Sequence, residues 1–74
     1  MPRNNLKTAR RAAGLTQQAV ADKVGLSLRE YHRIERGEII GSIAVWDALE
    51  DMLGVNQRTL RENGDTRHAQ AENP

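Results

Sequence analysis

The stretch from Leu15 to Gly37 constrains the fold of this chain more than any other segment, because its pattern is that of two short amphipathic helices joined by a glycine turn. Thr16 is placed to cap a first helix over Gln17–Val24, and Gly25 ends that helix in the positive-φ conformation that reverses the chain. Ser27 is then placed to cap a second helix. A turn of this length sets two helices steeply across each other, so the segment predicts a crossed helix pair.

The two faces of the second helix differ in chemistry. Tyr31 and Ile34 turn inward on a helical wheel, where they join the apolar residues of the preceding helix. The opposite face carries side chains at i, i+3, i+4 and i+7 spacing, namely Arg29, His32, Arg33 and Arg36. The outer face of this helix is therefore predicted to be basic.

The same start and stop signals predict three more helices. The predicted segments are Leu6 to Ala13, capped by Asn5 and ended by Gly14; Ile43 to Leu53, capped by Ser42; and Gln57 to Glu62, capped by Asn56. The predicted fold class is all-α, a bundle of about five short helices in one domain over residues 1–62. Residues 63–74, which include His68, are polar and are predicted to form a disordered tail.

Composition excludes several classes of protein. The chain has 74 residues and no cysteine, so we expect one small domain without a disulfide or a thiolate zinc site. Residues 1–5 lack the apolar core of a signal peptide, and no run of about 18 apolar residues is present to cross a bilayer. We therefore expect a soluble cytoplasmic protein, associated with the nucleoid, that has no cofactor, no metal and no membrane partner.

Charge is distributed unevenly along the chain, although the net charge is only +1. Residues 1–36 carry eight Lys and Arg against three Asp and Glu, a balance of +5, whereas residues 37–74 carry three against seven, a balance of −4. Such an asymmetry lets a basic half dock on phosphates while the acidic half stays in solvent or meets another protomer.

The span from Leu6 to about Leu60 resembles the lambdoid repressor and Cro-type helix-turn-helix family, also called XRE-like. The residues that carry the resemblance are Gly14-Leu15-Thr16-Gln17, Ala21, Gly25-Leu26-Ser27, Ile34-Glu35-Arg36-Gly37 and Leu53-Gly54-Val55. The resemblance implies a lambda-repressor-like DNA-binding domain that reads the major groove with its third helix. It also implies binding to pseudo-palindromic sites as a dimer, with half-sites about one helical turn apart.

By this resemblance, base edges are read by residues near the start of the third helix and one turn later, which here are Ser27, Leu28, Arg29, His32 and Arg33. Predicted phosphate contacts are Gln17, Gln18, Lys7, Arg11 and Arg36, with Arg3 as a further candidate. Arg29 and Arg33 can each donate a bidentate pair to guanine, or can serve only as phosphate contacts or solvated charges. Leu28 has two interpretations, contact with a thymine methyl group or cover for the core.

Arg10 and Glu35 both lie on inward-facing positions of their helices. A half-buried charge without a partner is costly, so the simplest solution is a salt bridge between these two residues that ties the first helix to the third. The family resemblance implies the same pair. A catalytic role for the two charges is disfavoured, because no nucleophile or metal cluster accompanies them.

The sequence departs from its relatives at two places. Glu38-Ile39-Ile40-Gly41 is acidic and apolar where relatives often carry basic or proline residues, so loop contacts with the DNA backbone are in doubt and the isoleucines are open to a protein contact. Tyr31 replaces an aliphatic residue, and its hydroxyl is expected to reach the surface or a phosphate. A dimer contact is expected on the last two helices, with Met52, Ile39, Ile40 and Trp46 as candidates, although the apolar stripe of the fourth helix favours Trp46 as a core residue.

These observations predict a sequence-specific DNA-binding regulator of transcription, a repressor that binds double-stranded DNA as a homodimer. The alternative is a protein-interaction or antitoxin-like adaptor that keeps the fold and uses the acidic C-terminal half for a partner. An enzyme is not expected, because no nucleophile–base pair, metal set or phosphate loop is present.

Overall fold

The computed structural model describes residues 1–62, and the predicted tail with His68 lies outside these residues. Five helices run through the described part of the chain, which confirms the all-α prediction. They are α1 (Asn4–Ala12), α2 (Gln17–Val24), α3 (Leu28–Glu35), α4 (Ile43–Leu53) and α5 (Gln57–Arg61). None of these helices combines the length and the apolarity that a membrane span requires.

Four of the five helices begin at the predicted caps. Thr16 Oγ1 accepts a hydrogen bond from the N–H of Ala19 at 3.0 Å, and Ser42 Oγ and Asn56 Oδ1 serve α4 and α5 in the same way. Ser27 forms a full capping box with Glu30, since each side chain bonds to the backbone N–H of the other residue. The starts of these helices therefore follow from local side-chain chemistry.

The predicted start of α1 is wrong. The helix begins at Asn4, Arg3 occupies the N-cap position without a capping side chain, and α1 ends at Ala12. Asn5 lies inside the helix, where its amide donates to the carbonyl of Thr59 on α5 at 3.2 Å. The N–H of Arg3 donates to the carbonyl of Glu35 at 2.8 Å, so a tertiary contact fixes the chain ahead of α1 where a local cap was expected.

The α2–α3 turn has the predicted form. Gly25 adopts φ 78° in the left-handed region, and the N–H of Leu26 donates to the carbonyl of Ala21 at 2.9 Å. Nothing lies close to a Cβ built on Gly25, so this glycine is required by its backbone angle and not by crowding. The turn therefore reverses the chain and brings α3 into contact with α2.

One core joins all five helices. Its buried residues are Leu6, Val20, Ala21, Tyr31, Ile34, Val45, Trp46, Leu49 and Leu60. Trp46 is 1% exposed, which confirms the favoured interpretation as a core residue and removes it from the candidates for a dimer contact. Ile39 and Met52 are partly buried against the same core, which leaves Ile40 as the one clearly exposed member of that predicted set.

A buried arginine connects the N-terminal segment to the loop between α3 and α4. Arg3 is only 4% exposed, and its guanidinium donates to the carbonyls of Ile34, Ile39 and Arg61. The guanidinium carbon lies 5.3 Å from the centroid of the Trp46 ring. Arg3 was a candidate phosphate contact, and that expectation is wrong because its side chain is buried and its Nε and Nη1 donate to carbonyls inside the protein.

We expect Arg3→Met to lower the free energy of unfolding by about 2 kcal/mol, because the substitution leaves buried carbonyl groups without donors. The matched control is Arg11→Met, since Arg11 is an exposed arginine on α1. Urea denaturation of the two variants measures the difference. Equal midpoints for both variants would contradict the anchoring role of Arg3.

Candidate nucleic-acid interface

The outer face of α3 is the exposed basic surface that the sequence predicts. Leu28, Arg29 and Arg33 are exposed on this helix, Arg36 is exposed just after it, and His32 is half-buried at the edge that faces α2. Tyr31, Ile34 and Glu35 are buried on the opposite side. Because the inner residues are fixed in the core, the outer side chains project from a rigid helix.

Ser27 is the predicted base contact with the least freedom. Its hydroxyl accepts from the N–H of Glu30 at 3.1 Å and lies 3.2 Å from Glu30 Oε1, to which it donates. Only one lone pair of the hydroxyl remains for another partner. The side chain of Ser27 therefore acts chiefly as the cap of α3.

Three of the predicted contacts project into solvent. Arg29, Lys7 and Arg11 are exposed, and their side chains make no hydrogen bond or ion pair with residues 1–62. Their ammonium and guanidinium groups are thus available to an anion without the loss of an existing partner among these residues.

Arg33 and Arg36 share an acidic neighbour that the sequence analysis did not identify. Glu38, on the loop after α3, places Oε1 3.4 Å from Arg33 Nε and Oε2 3.1 Å from Arg36 Nε. All three side chains are largely exposed, so the pairs are screened by water and are weak. Glu38 consequently lowers the positive charge at the C-terminal end of the basic face.

Behind that face lies the predicted ion pair. Arg10 Nε is 2.7 Å from Glu35 Oε2, and the side chains of the two residues are 8% and 4% exposed. Arg10 also donates to the carbonyl of Leu15 at 2.8 Å, which ties α1 to the segment ahead of α2. The hydroxyl of Tyr31 donates to Glu35 Oε2 at 2.7 Å, so the expectation that this hydroxyl reaches the surface is wrong.

The charges of this cluster are stabilised by one another. Burial alone raises the pKa of Glu35, but hydrogen bonds from Arg10, Tyr31 and Gln17 outweigh burial and hold the pKa below its ordinary value. The hydrogen bond to Glu35 raises the pKa of Arg10. Burial, followed by the Glu35 carboxylate, raises the pKa of Tyr31. At neutral pH the cluster therefore holds an arginine cation, a carboxylate anion and a neutral phenol.

Gln17 connects this buried cluster to the basic face. Its amide nitrogen donates to Glu35 Oε1 at 3.0 Å, and its amide oxygen lies 2.6 Å from His32 Nε2. The neighbouring Gln18 bonds instead to Asp22 on its own helix at 2.8 Å. Both glutamines were predicted to contact a phosphate, and nothing in the sequence indicated that Gln17 is held from inside the protein.

Two acidic residues of the C-terminal half, Asp47 and Glu50, lie next to the start of α5. Asp47 and Asp51 are exposed on α4, and Glu50 is partly exposed between them. Gln57 at the start of α5 donates to Asp47 Oδ1 and to Glu50 Oε1. Within residues 1–62, no group of three acidic, histidine or cysteine side chains is arranged to hold a metal ion.

One comparison with known proteins bears on this geometry. A family model described as a helix-turn-helix domain matches residues 4–71, which is nearly the whole chain. No curated protein matches the chain. The crossed pair of α2 and α3 is the structural unit to which that description refers.

We expect Glu35→Gln to lower the free energy of unfolding by about 3 kcal/mol at pH 7, because it leaves a buried guanidinium without an anionic partner. The pKa of Glu35 is lower in the folded protein than its ordinary value of 4.5. The contribution of ionised Glu35 to the free energy of unfolding is therefore complete above pH 4.5 and is lost as the pH falls through the folded pKa. Urea denaturation at pH 7 and pH 3 should therefore show a stability gap between the natural protein and the variant that narrows in acid.

Glu38→Gln is the control for this experiment, since it removes an exposed carboxylate of the same chemistry. The control should change stability by less than about 1 kcal/mol. The account of the buried pair would be overturned if Glu35→Gln and Glu38→Gln lost the same stability at pH 7, or if the loss for Glu35→Gln grew in acid.

Proposed function

This chain belongs to the helix-turn-helix domain family, and on that basis we propose that it is a sequence-specific DNA-binding regulator of transcription, a repressor of the lambdoid repressor and Cro type. The observation that carries the proposal is the geometry of α3, whose inner face is fixed by a buried ion pair and whose outer face exposes Arg29, Arg33 and Arg36. A rigid helix with one basic face is suited to the major groove of DNA.

In this proposal α3 lies in the major groove. Its eight residues span about 12 Å, which is close to the groove width. Arg29 and Arg33 donate paired hydrogen bonds to guanine O6 and N7, and Leu28 contacts a thymine methyl group. Ser27 and His32 complete the proposed base-reading set, with Ser27 limited to its remaining lone pair.

Phosphates on either side of the groove are the proposed partners of Gln17, Gln18, Lys7, Arg11 and Arg36. The first backbone N–H groups of α2 have no backbone acceptor within the helix, so they are further donors for a phosphate at this end of α2. The acidic surface of α4 lies elsewhere, so DNA meets a local field that is far more positive than the net charge of +1 suggests.

We propose that the protein binds DNA as a homodimer, because one α3 helix reads too few base pairs to select a site in a genome. Half-sites of such a dimer would be about 34–36 Å apart. Ile40, in the loop after α3, and Ile43, at the start of α4, are 64% and 74% exposed. They are the proposed apolar part of the contact, in place of the buried Trp46.

The second candidate is a protein-interaction or antitoxin-like adaptor. The specific observation in its favour is the same pair of exposed isoleucines, which lies in the C-terminal half together with the acidic residues of α4. Helix-turn-helix domains as a family act by binding and not by catalysis, so we propose no enzymatic activity under either candidate. We also propose a cytoplasmic location for both.

Selection of binders from random duplex DNA tests the first candidate. We expect a palindromic consensus for the natural protein and the loss of that consensus in an Arg29→Ala, Arg33→Ala double variant, because both guanidinium groups would read bases. The control is Arg58→Ala, which removes an exposed arginine of α5 and should leave the consensus unchanged.

The strength and salt dependence of binding to the selected site, together with the effect of the double variant, distinguish sequence-specific binding from nonspecific association. Affinity for the selected site should fall steeply with added salt, because phosphate contacts release counterions. If binding is weak for all sequences and the double variant changes nothing, the regulator proposal fails and the adaptor takes its place.

We expect Glu38→Gln to raise affinity for the selected site roughly three-fold at low salt, because it frees Arg33 and Arg36 and removes an anion from the DNA-facing side. Asp51→Asn provides a matched loss of negative charge on α4. Titration of labelled duplex measures both variants. If both variants gained the same affinity for DNA, only the net charge of the protein would matter. If Glu38→Gln gained no affinity, the loop that carries Glu38 would lie away from DNA.

A further inference from the structure

An unbroken series of hydrogen bonds runs from the buried core to the outer face of α3. Arg10 donates to Glu35, Gln17 donates to the other oxygen of the same carboxylate at 3.0 Å, and the amide oxygen of Gln17 faces His32 Nε2 at 2.6 Å. The series ends on a residue of the basic face. The ion pair therefore determines which atom of each following side chain donates and which accepts, as far as the basic face.

The order is fixed by chemistry at each step. Glu35 is ionised and accepts only, so the amide of Gln17 must present its nitrogen to the carboxylate and its oxygen to the histidine. An amide oxygen also accepts only, so Nε2 of His32 must carry a hydrogen. A neutral imidazole has a single N–H, so in that form Nδ1 of His32 bears a lone pair.

Nδ1 of His32 is open to solvent. It makes no hydrogen bond with residues 1–62, and no buried side-chain nitrogen or oxygen among those residues lacks a partner. Since His32 is only half-buried, an unpartnered Nδ1 must be accessible. The outer face of α3 thus presents a ring acceptor next to arginines that can only donate.

We propose that His32 is a specificity-determining residue whose Nδ1, fixed as an acceptor through Gln17, selects a base with an exocyclic amino group in the major groove. Adenine N6 and cytosine N4 are the donors that DNA offers there, whereas guanine and thymine offer acceptors at the equivalent positions. This inference rests on the proposed DNA-binding function. It predicts adenine or cytosine opposite His32, which is the reverse of the guanine preference of an arginine.

Nuclear magnetic resonance tests the tautomer without DNA. In a His68→Gln background, which leaves one imidazole, two-bond ¹⁵N–¹H correlations at neutral pH should show a hydrogen on Nε2 of His32 and none on Nδ1. The Nε2 hydrogen should exchange slowly with water and should exchange faster after Gln17→Leu. A hydrogen on Nδ1, or an exchange rate that Gln17→Leu does not alter, would overturn the inference.

Binding measurements test the consequence. The base position read by His32 is identified as the one whose preference disappears in His32→Leu, and the natural protein should favour adenine or cytosine there by about five-fold. Gln17→Leu should flatten that preference while the preferences at the positions read by Arg29 and Arg33 remain. Gln18→Leu is the control, because Gln18 does not touch His32; it should weaken binding to all sequences equally or not at all.

The outcomes separate this inference from the proposed function. A preference for guanine or thymine at the His32 position, or a preference that survives Gln17→Leu, overturns the role of His32 and leaves the regulator intact. The role of His32 is also overturned if the natural protein selects bases only at the positions read by Arg29 and Arg33, and His32→Leu changes no base preference. The regulator proposal survives that result. The absence of any sequence preference in the natural protein overturns both proposals.

Discussion

The buried pair of Arg10 and Glu35 is the interaction on which the basic face depends. Two charges removed from water are costly unless every remaining polar atom finds a partner. Here the carboxylate also accepts from Tyr31 and Gln17, and the guanidinium also reaches the carbonyl of Leu15. These bonds have direction, whereas apolar packing alone does not, so the pair fixes the rotation of α3 about its axis as well as its position.

A second buried arginine holds the same C-terminal end of α3. The backbone N–H of Arg3 bonds to the carbonyl of Glu35, and its side chain bonds to the carbonyls of Ile34 and Ile39. The last turn of α3 and the start of the following loop are therefore held by an arginine on each side. In such a small domain, to whose core residues 1–62 contribute nine buried apolar residues, these polar contacts supply orientation that the core cannot specify by itself.

The sequence predicts the features of this fold that depend on local chemistry. The caps at Thr16, Ser27, Ser42 and Asn56 and the glycine turn at Gly25 involve residues a few positions apart, so the pattern contains all the information that they require. The ion pair was predictable because two charges fell on inward faces. The start of α1, the burial of Arg3 and the bridge from Glu38 to two arginines depend on residues that only the assembled fold brings together. The orientation of the Gln17 amide depends on all of the preceding contacts and was the least predictable feature of the candidate site.

The central claim is that α3 presents its basic face to DNA while α4 keeps its acidic surface in solvent. The most direct measurement is a titration of the ¹⁵N-labelled protein with duplex DNA of mixed sequence, followed by amide chemical shifts. The account predicts shifts at the start of α2 and along α3, at residues 17–18 and 28–36, with the amides of residues 47–51 on α4 unchanged. Shifts confined to the α4 residues, or no shifts at low salt, would contradict it.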